Sequence, residues 1–326
     1  MKPGMIYIAA LAALISLPAC AQQRVDERRP TGPGGTVDVT LLSGTVRVVT
    51  WGRNEVQVTG ELGRGTDRLE IRSEGDRTYV QAVIPRGTRN AGMSEIEVRI
   101  PARKSLVVRT TSADAEVQGV LGGITVTTVS GDVQVAGRPA SLEVTTRSGG
   151  VGVDVTTDRV RVQSVSGDLA VRGDVRTEVE AQTVSGEISV AARTGSLRAQ
   201  SVSGGVTAPS VGGRAEVQTV SGDISVQGSR LRGSFESVSG GVLVSGALER
   251  GGTTTLNSHS GDVELRLARG SGAEVEFTTF SGEMEMAISG ARVTRTSRRE
   301  QEVLVGRGGA RVEVRTFSGD VKLADR

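Results

Sequence analysis

Large aromatic side chains are nearly missing from this chain: Phe, Trp and Tyr together make up 2% of its 326 residues. That scarcity excludes ordinary globular cores, so something smaller must fill the interior. The single cysteine, Cys20, rules out an intrachain disulfide. The single histidine, His259, leaves a Ser-His-Asp triad or a multi-histidine metal site little to build on. Nor is there a block of one charge sign. The 39 basic and 37 acidic residues are spread along the chain and leave a formal charge of +2, so nothing would track a phosphate backbone and nucleic acid is not an expected partner. What is plentiful is glycine, 45 residues, beside Val, Thr and Ser, which suits pleated strands joined by tight turns. The expected class is all-β.

The first residues read as an export signal. Lys2 supplies positive charge, and Met5 to Leu17 is an apolar run too short to span a membrane. It ends in Leu17-Pro18-Ala19-Cys20-Ala21, for which three readings stand open. Either Cys20 is lipidated as in a lipobox, with Pro18 departing from the usual small residue, or cleavage after Ala21 discards it, or the segment stays uncleaved as an anchor. Residues 1–21 are therefore taken as signal, and residues 22–35, polar with Pro and Gly and without an apolar period, as a tether. The expected location is outside the cytoplasm, in the periplasm or cell envelope, with membrane contact only through a lipid anchor.

The rest is a repeat. Ser-Gly pairs recur at Ser130, Ser148, Ser166, Ser185, Ser203, Ser221 and Ser239, 18 residues apart with one step of 19. They continue at Ser260 and Ser281 with steps of 21 and at Ser318 after 37, while Ser112-Ala113 and Ser43-Gly44 fit the template upstream. Apolar residues stand six and four places before each serine and three and five places after it, as Val160 and Val162, or Ile188 and Val190. Two short alternating strands thus flank a Ser-Gly corner, and one unit buries its apolar face only by stacking on the next, about 4.8 Å away. About twelve such coils from Ser112 to Ser318 would make a rod roughly 50–60 Å long. The apolar residue at every sixth place that a left-handed hexapeptide helix needs is missing. The expected fold is a right-handed single-stranded β-helix of about 18 residues per coil. Residues 36–110 form an N-terminal β region continuous with the solenoid of 111–326. Insertions about six to eleven residues after the serine, near Pro139 and Pro209, belong to a loop edge.

Two columns before the serine carry alternatives. Immediately before it stand Val129, Val165, Val184, Val202, Val220 and Val238, then Phe280 and Phe317, but also Arg147 and His259. This column is read as an edge of the core, with an exposed adhesive stripe as the competing reading. One place earlier is almost always Thr or Ser, as at Thr128, Ser164, Thr219 and Thr316, read as a structural hydrogen-bonding ladder.

At these residues the chain resembles the bacterial "putative adhesin" family of exported β-strand-repeat proteins. The resemblance rests on Ser43 to Val58 (SGTVRVVTWGRNEVQV), Glu97 to Gly119 (EVRIPARKSLVVRTTSADAEVQG), the repeated TVSGDISV type of segment and Gly306 to Leu323 (GRGGARVEVRTFSGDVKL). It covers nearly all of the chain after the signal. It implies a right-handed β-helix-like fold and brings no catalytic residue or cofactor.

The residues themselves offer little chemistry. The corner serines are too numerous to be nucleophiles, and His259 is a substituted repeat position. Carboxylates two places after many corners (Asp132, Asp168, Glu187, Asp223, Asp262, Glu283 and Asp320) suit turn chemistry, with a row of calcium sites as the sharper alternative. A polysaccharide-acting β-helix enzyme would need converging acids and bases with aromatic platforms. A self-assembling scaffold is disfavoured by the export signal. The one local candidate is Ser289 to Val305, where the corner is lost and Arg292, Arg295, Arg298 and Arg299 gather. It is either a solvated hairpin or a contact patch for acidic polymer or lipid headgroups. The expectation is a non-catalytic binding, adhesin-like or structural protein. It would contact an envelope polymer, lipid headgroups or another envelope protein.

Overall fold

The computed structural model describes residues 23–85, 92–297 and 299–326, and over these the chain is strand without helix. The signal segment and Cys20 lie outside the described residues. The architecture is all-β and solenoid-like.

Alternation explains the strands. Around Ser130, the side chains of Ile124, Val126, Val133 and Val135 are at most 2% exposed, while Thr125 and Gln134 between the paired positions point outward. Each strand lies parallel to its counterpart in the next repeat: Leu142 and Val144 pair with Ile124 and Val126 on one side and with Val160 and Val162 on the other. The corner serines follow suit, Ser148 bridging Ser166, Ser166 bridging Ser185 and Ser185 bridging Ser203. Valine columns stacked in this way form one contiguous core. Burial of each valine stabilises the fold by about 1.5–3 kcal/mol.

The order of coils in space departs from their order in the chain. Ala310–Ser318 lies between Thr253–Ser260 and Ala273–Ser281, so that Val312 pairs with both Thr254 and Val275. Likewise Val321–Asp325 separates Val263–Leu267 from Met284–Ala287. The chain builds its outermost coil first, turns through the antiparallel hairpin Ala291–Thr296 and Glu300–Val305, and returns to fill the gap. The step of 37 residues between Ser281 and Ser318 holds this hairpin. The returning strand gains hydrogen-bonded neighbours on both sides, which stacking in chain order would not give it.

The N-terminal end is built similarly. Thr36–Trp51 pairs on one side with Ser105–Gln118, and on the other with Arg77–Val83 and Ser94–Pro101. Antiparallel strands finish that end: Glu55–Leu62 lies on Ser94–Pro101, and Arg68–Glu74 on Arg77–Val83. The expected tether is not one over its described part. Gln23–Pro30 is a strand antiparallel to Glu55–Leu62, held by backbone bonds, the Arg24–Glu61 pair at 3.1 Å and a 2.7 Å bond from Gln57 Nε2 to Asp26 Oδ1. None of its side chains is fully buried, so it left no apolar period to read.

The expected loop edge is also strand in part. Pro209 lies within Val206–Ser221, and the variable stretch is taken up by register shifts, as between Ala208 and Val211 and between Gly228 and Leu231. Lys104 was hidden from sequence reading altogether. It is buried, donates from Nζ to the carbonyl of Gly34 at 2.6 Å, and burial lowers its pKa against the raising influence of Asp76.

Candidate functional site

The Ser-Gly corners generate the most distinctive surface of the molecule. After the corner serines from Ser130 to Ser239 the chain turns through glycine with positive φ, for example 128° at Gly149 and 152° at Gly167. A β-carbon on Gly149 would lie 2.3 Å from the carbonyl oxygen of Gly131 one coil away, so no larger residue fits without backbone movement.

The Thr and Ser column two places before the serine faces inward. Thr219, Ser237 and Ser258 are buried, and their hydroxyls donate to the carbonyls of Gly204, Gly222 and Gly240 at 3.0–3.1 Å. A bond along the column itself is seen from Thr110 to Thr128 at 2.8 Å. The column is structural as expected, but mostly by bonding corner backbone rather than itself.

The column beside it faces outward, and this corrects the expectation that it edges the core. Val129, Val165, Val184, Val202, Val220 and Val238 are each 46–50% exposed. Strand geometry requires it: with the Thr column inside, the next residue must lie on the other face. In space the ladder begins at Leu42, is interrupted by Thr111 and Arg147, and ends in rings. His259 stacks on Phe317 at 5.0 Å between centroids, and Phe317 stacks on Phe280 at 4.9 Å. The Arg299 guanidinium lies 4.1 Å from the centroid of Phe280 and closes the series. The stack depends on the inserted strand, which places Phe317 between two rings that precede it in the chain. Sequence order alone hid that neighbourhood.

The carboxylate column knits coils together. Oδ1 of Asp132 accepts from the backbone N–H of Gly150 at 2.8 Å, and Oδ1 of Asp223 from that of Gly241 at 2.8 Å. Asp262 and Asp320 repeat the pattern at 2.9 Å. These oxygens serve the next coil, which is turn chemistry carried across the stack. Among the described residues no three of His, Cys, Asp and Glu are grouped so as to hold a metal ion.

The arginine candidates are only partly brought together. Arg292 and Arg295 lie on the exposed strand Ala291–Thr296, and Arg295 is within 3.6 Å of Glu302 and 4.0 Å of Glu300. Arg299 faces Phe280, and Arg298 lies outside the described residues. Adjoining glutamates therefore dilute the charge of this group. Among the described residues the ring partner of His259 is Phe317, not an acid or a base.

Comparison with known proteins follows the same lines. The family model described as Toastrack DUF4097 matches residues 38–213 and again 210–324. Among solved structures, the chain is similar to a "putative adhesin" of Bacteroides fragilis NCTC 9343, at 12% identity and TM-score 0.38 over 93% of this chain and 98% of that one. It is also similar to one of Parabacteroides distasonis ATCC 8503, at 10% identity and TM-score 0.40 over 93% and 97%. A "putative cell adhesion protein" of Clostridium sporogenes ATCC 15579 follows, at 7% identity and TM-score 0.22 over 93% and 100%. Scores this low transfer no property. No curated protein matches the chain.

Proposed function

The chain belongs to the Toastrack DUF4097 family, and on that premise we propose that it is a non-catalytic binding protein of the bacterial cell envelope, working through the outside of its solenoid. In this reading the coil is right-handed with about 18 residues per turn, and the pairing of Leu142 with Val160 supports the period. Residues 1–21 direct export, with Cys20 as a lipid anchor. The partner is an envelope polymer or another envelope protein. Arg292, Arg295, Arg298 and Arg299 add contacts to acidic polymer or headgroups at the aromatic end of the ladder.

One observation carries the proposal. The column just before the corner serine holds valine in five successive coils, Val165, Val184, Val202, Val220 and Val238, and phenylalanine at Phe317 and Phe280, although about half of each side chain faces water, and stability alone asks for nothing apolar there. An apolar run over five coils, bounded by Arg147 and His259, suits weak contacts that add through multivalency.

The test is retention of the purified protein on envelope fractions and peptidoglycan. Replacing Val165, Val184, Val202 and Val220 together by serine should leave circular dichroism and melting temperature nearly unchanged and abolish retention. Retention that survives the quadruple change would refute the ladder as the contact surface. Turnover of an envelope polysaccharide, lost on replacing one carboxylate, would refute the non-catalytic reading.

A further inference from the structure

The register shifts that absorb the variable stretch of each repeat open a groove of about 620 Å³. Its walls come from four successive coils, at Asp174–Arg176, Arg193–Gly195, Pro209–Gly212 and Gln227–Arg230, and Arg326 closes one side. Its volume falls in the range of small-molecule sites. None of the ladder residues lines it, and the reading goes beyond the function proposed above.

The charge of the groove is lopsided. Arg176, Arg193, Arg230 and Arg326 line it with one carboxylate, Asp174. Arg176 pairs with Asp158 at 2.8 Å, and Arg193 is 3.5 Å from Asp174, with side chains 67% and 77% exposed. Exposed pairs of this kind are worth little and exchange readily for a better acceptor. Arg230 and Arg326 have no ion pair among the described residues. The uncompensated charge therefore centres on these two.

Arg230 carries a second mark. Its φ is 55°, and it alone among the described non-glycine residues has a positive φ. It lies in the register shift between Gly228 and Leu231, where a bulge re-aims the side chain. Glycine is the residue that such a backbone favours, and an arginine there is held under backbone strain. A bulge needed only to close the coil would not call for a long cation. Strain of this kind gathers where a side chain has to be presented.

We propose that this groove binds a phosphate-bearing ligand, with Arg230 as the principal contact and Arg193 and Arg176 as its neighbours. Guanidinium forks match phosphate oxygens pairwise. A tetrahedral phosphate presents oxygens in several directions, as donors arriving from several coils require, whereas a carboxylate offers two in one plane. Ser210 and Ser229 add hydroxyl donors along the same walls. The groove far exceeds one phosphate, so the ligand is an organic phosphate, either a lipid headgroup or a soluble ester.

The experiment is calorimetric titration of the full chain with inorganic phosphate, against chloride at matched ionic strength, for the parent and Arg230→Gly. Glycine suits the backbone at position 230, so the variant should melt at the same temperature or higher while its phosphate affinity falls at least fivefold. Saturable binding that drops in this way supports the site. Absence of saturable phosphate binding by the parent, or equal binding by the variant, overturns it. Co-sedimentation with vesicles of phosphatidylglycerol and phosphatidylcholine, competed by free phosphate and lost in Arg230→Gly, identifies a headgroup. Phosphate binding without co-sedimentation identifies a soluble ester.

Discussion

At Thr219 and Val220 two neighbouring side chains sit against their usual preferences, the hydroxyl inside and the isopropyl group outside. The buried Thr219 hydroxyl donates to the carbonyl of Gly204, a bond that valine would remove. Thr219→Val should therefore cost about 1–3 kcal/mol, whereas Val220→Thr should change stability by less than about 0.5 kcal/mol. Urea midpoints of the two variants check this, and equal costs would show that the two faces are wrongly assigned. Glycine sets the other limit at this scale. Gly149→Ala forces a β-carbon against the Gly131 carbonyl at a φ of 128°, and should cost about 2–3 kcal/mol by the same measurement. The columns themselves were legible in the sequence. Their facing was not, because hydrophobicity favoured burying the valines whereas the two-residue period of the strand puts the threonines inside. Arg147 and His259 were the signs that the valine column meets water.

Between elements, what decided the structure was the count of hydrogen-bonded neighbours, and this was the least legible level. The repeat shows which segments are strands but not which one a late strand joins. Ser281 and Ser318 carry identical corners, and only the three-dimensional fit puts the later one inside. The hairpin in Ser289 to Val305 was legible as one of two readings, because its polar residues and lost corner mark a departure from the stack. The strand Gln23–Pro30 was not, since edge pairing is made by backbone atoms that every sequence shares. Neighbour count also predicts exchange rates. Ala310–Ser318, paired on both sides, should exchange its amides at least tenfold more slowly than the edge strand Ala291–Thr296, although both belong to the C-terminal end. Hydrogen exchange read by mass spectrometry of peptides checks this. Equal rates would mean that the inserted strand does not hold its place.

For the whole molecule, a stack of parallel coils raises the problem of its two ends, where open strands invite further chains. Here neither end continues the repeat. Among the described residues antiparallel strands are laid across part of each, finishing in Gln23–Pro30 at one and Ala291–Thr296 at the other, while Met284–Ala287 pairs only with Val321–Asp325. The antiparallel outermost strands carry the charge, with Arg24, Asp26, Glu27, Arg28 and Arg29 on the first and Arg292 and Arg295 on the second. Pro30 ends the first strand, and it cannot donate to a further ladder. Such edges resist pairing because a neighbouring copy would have to lay like charges side by side. The same arginines can serve this purpose while still facing an acidic partner, since both uses need them in water. Removing the charge should separate the two. Replacing Arg292 and Arg295 by valine leaves Val293 between two further apolar side chains, on a strand already exposed along its length. That variant should form concentration-dependent oligomers or fibres by light scattering, while the parent under the same conditions does not. Replacement by glutamate, which restores like-charge repulsion with the opposite sign, should return it to the parent's behaviour. If the valine variant stays as dispersed as the parent, the antiparallel layers alone seal the ends and the arginines are left to ligand contact.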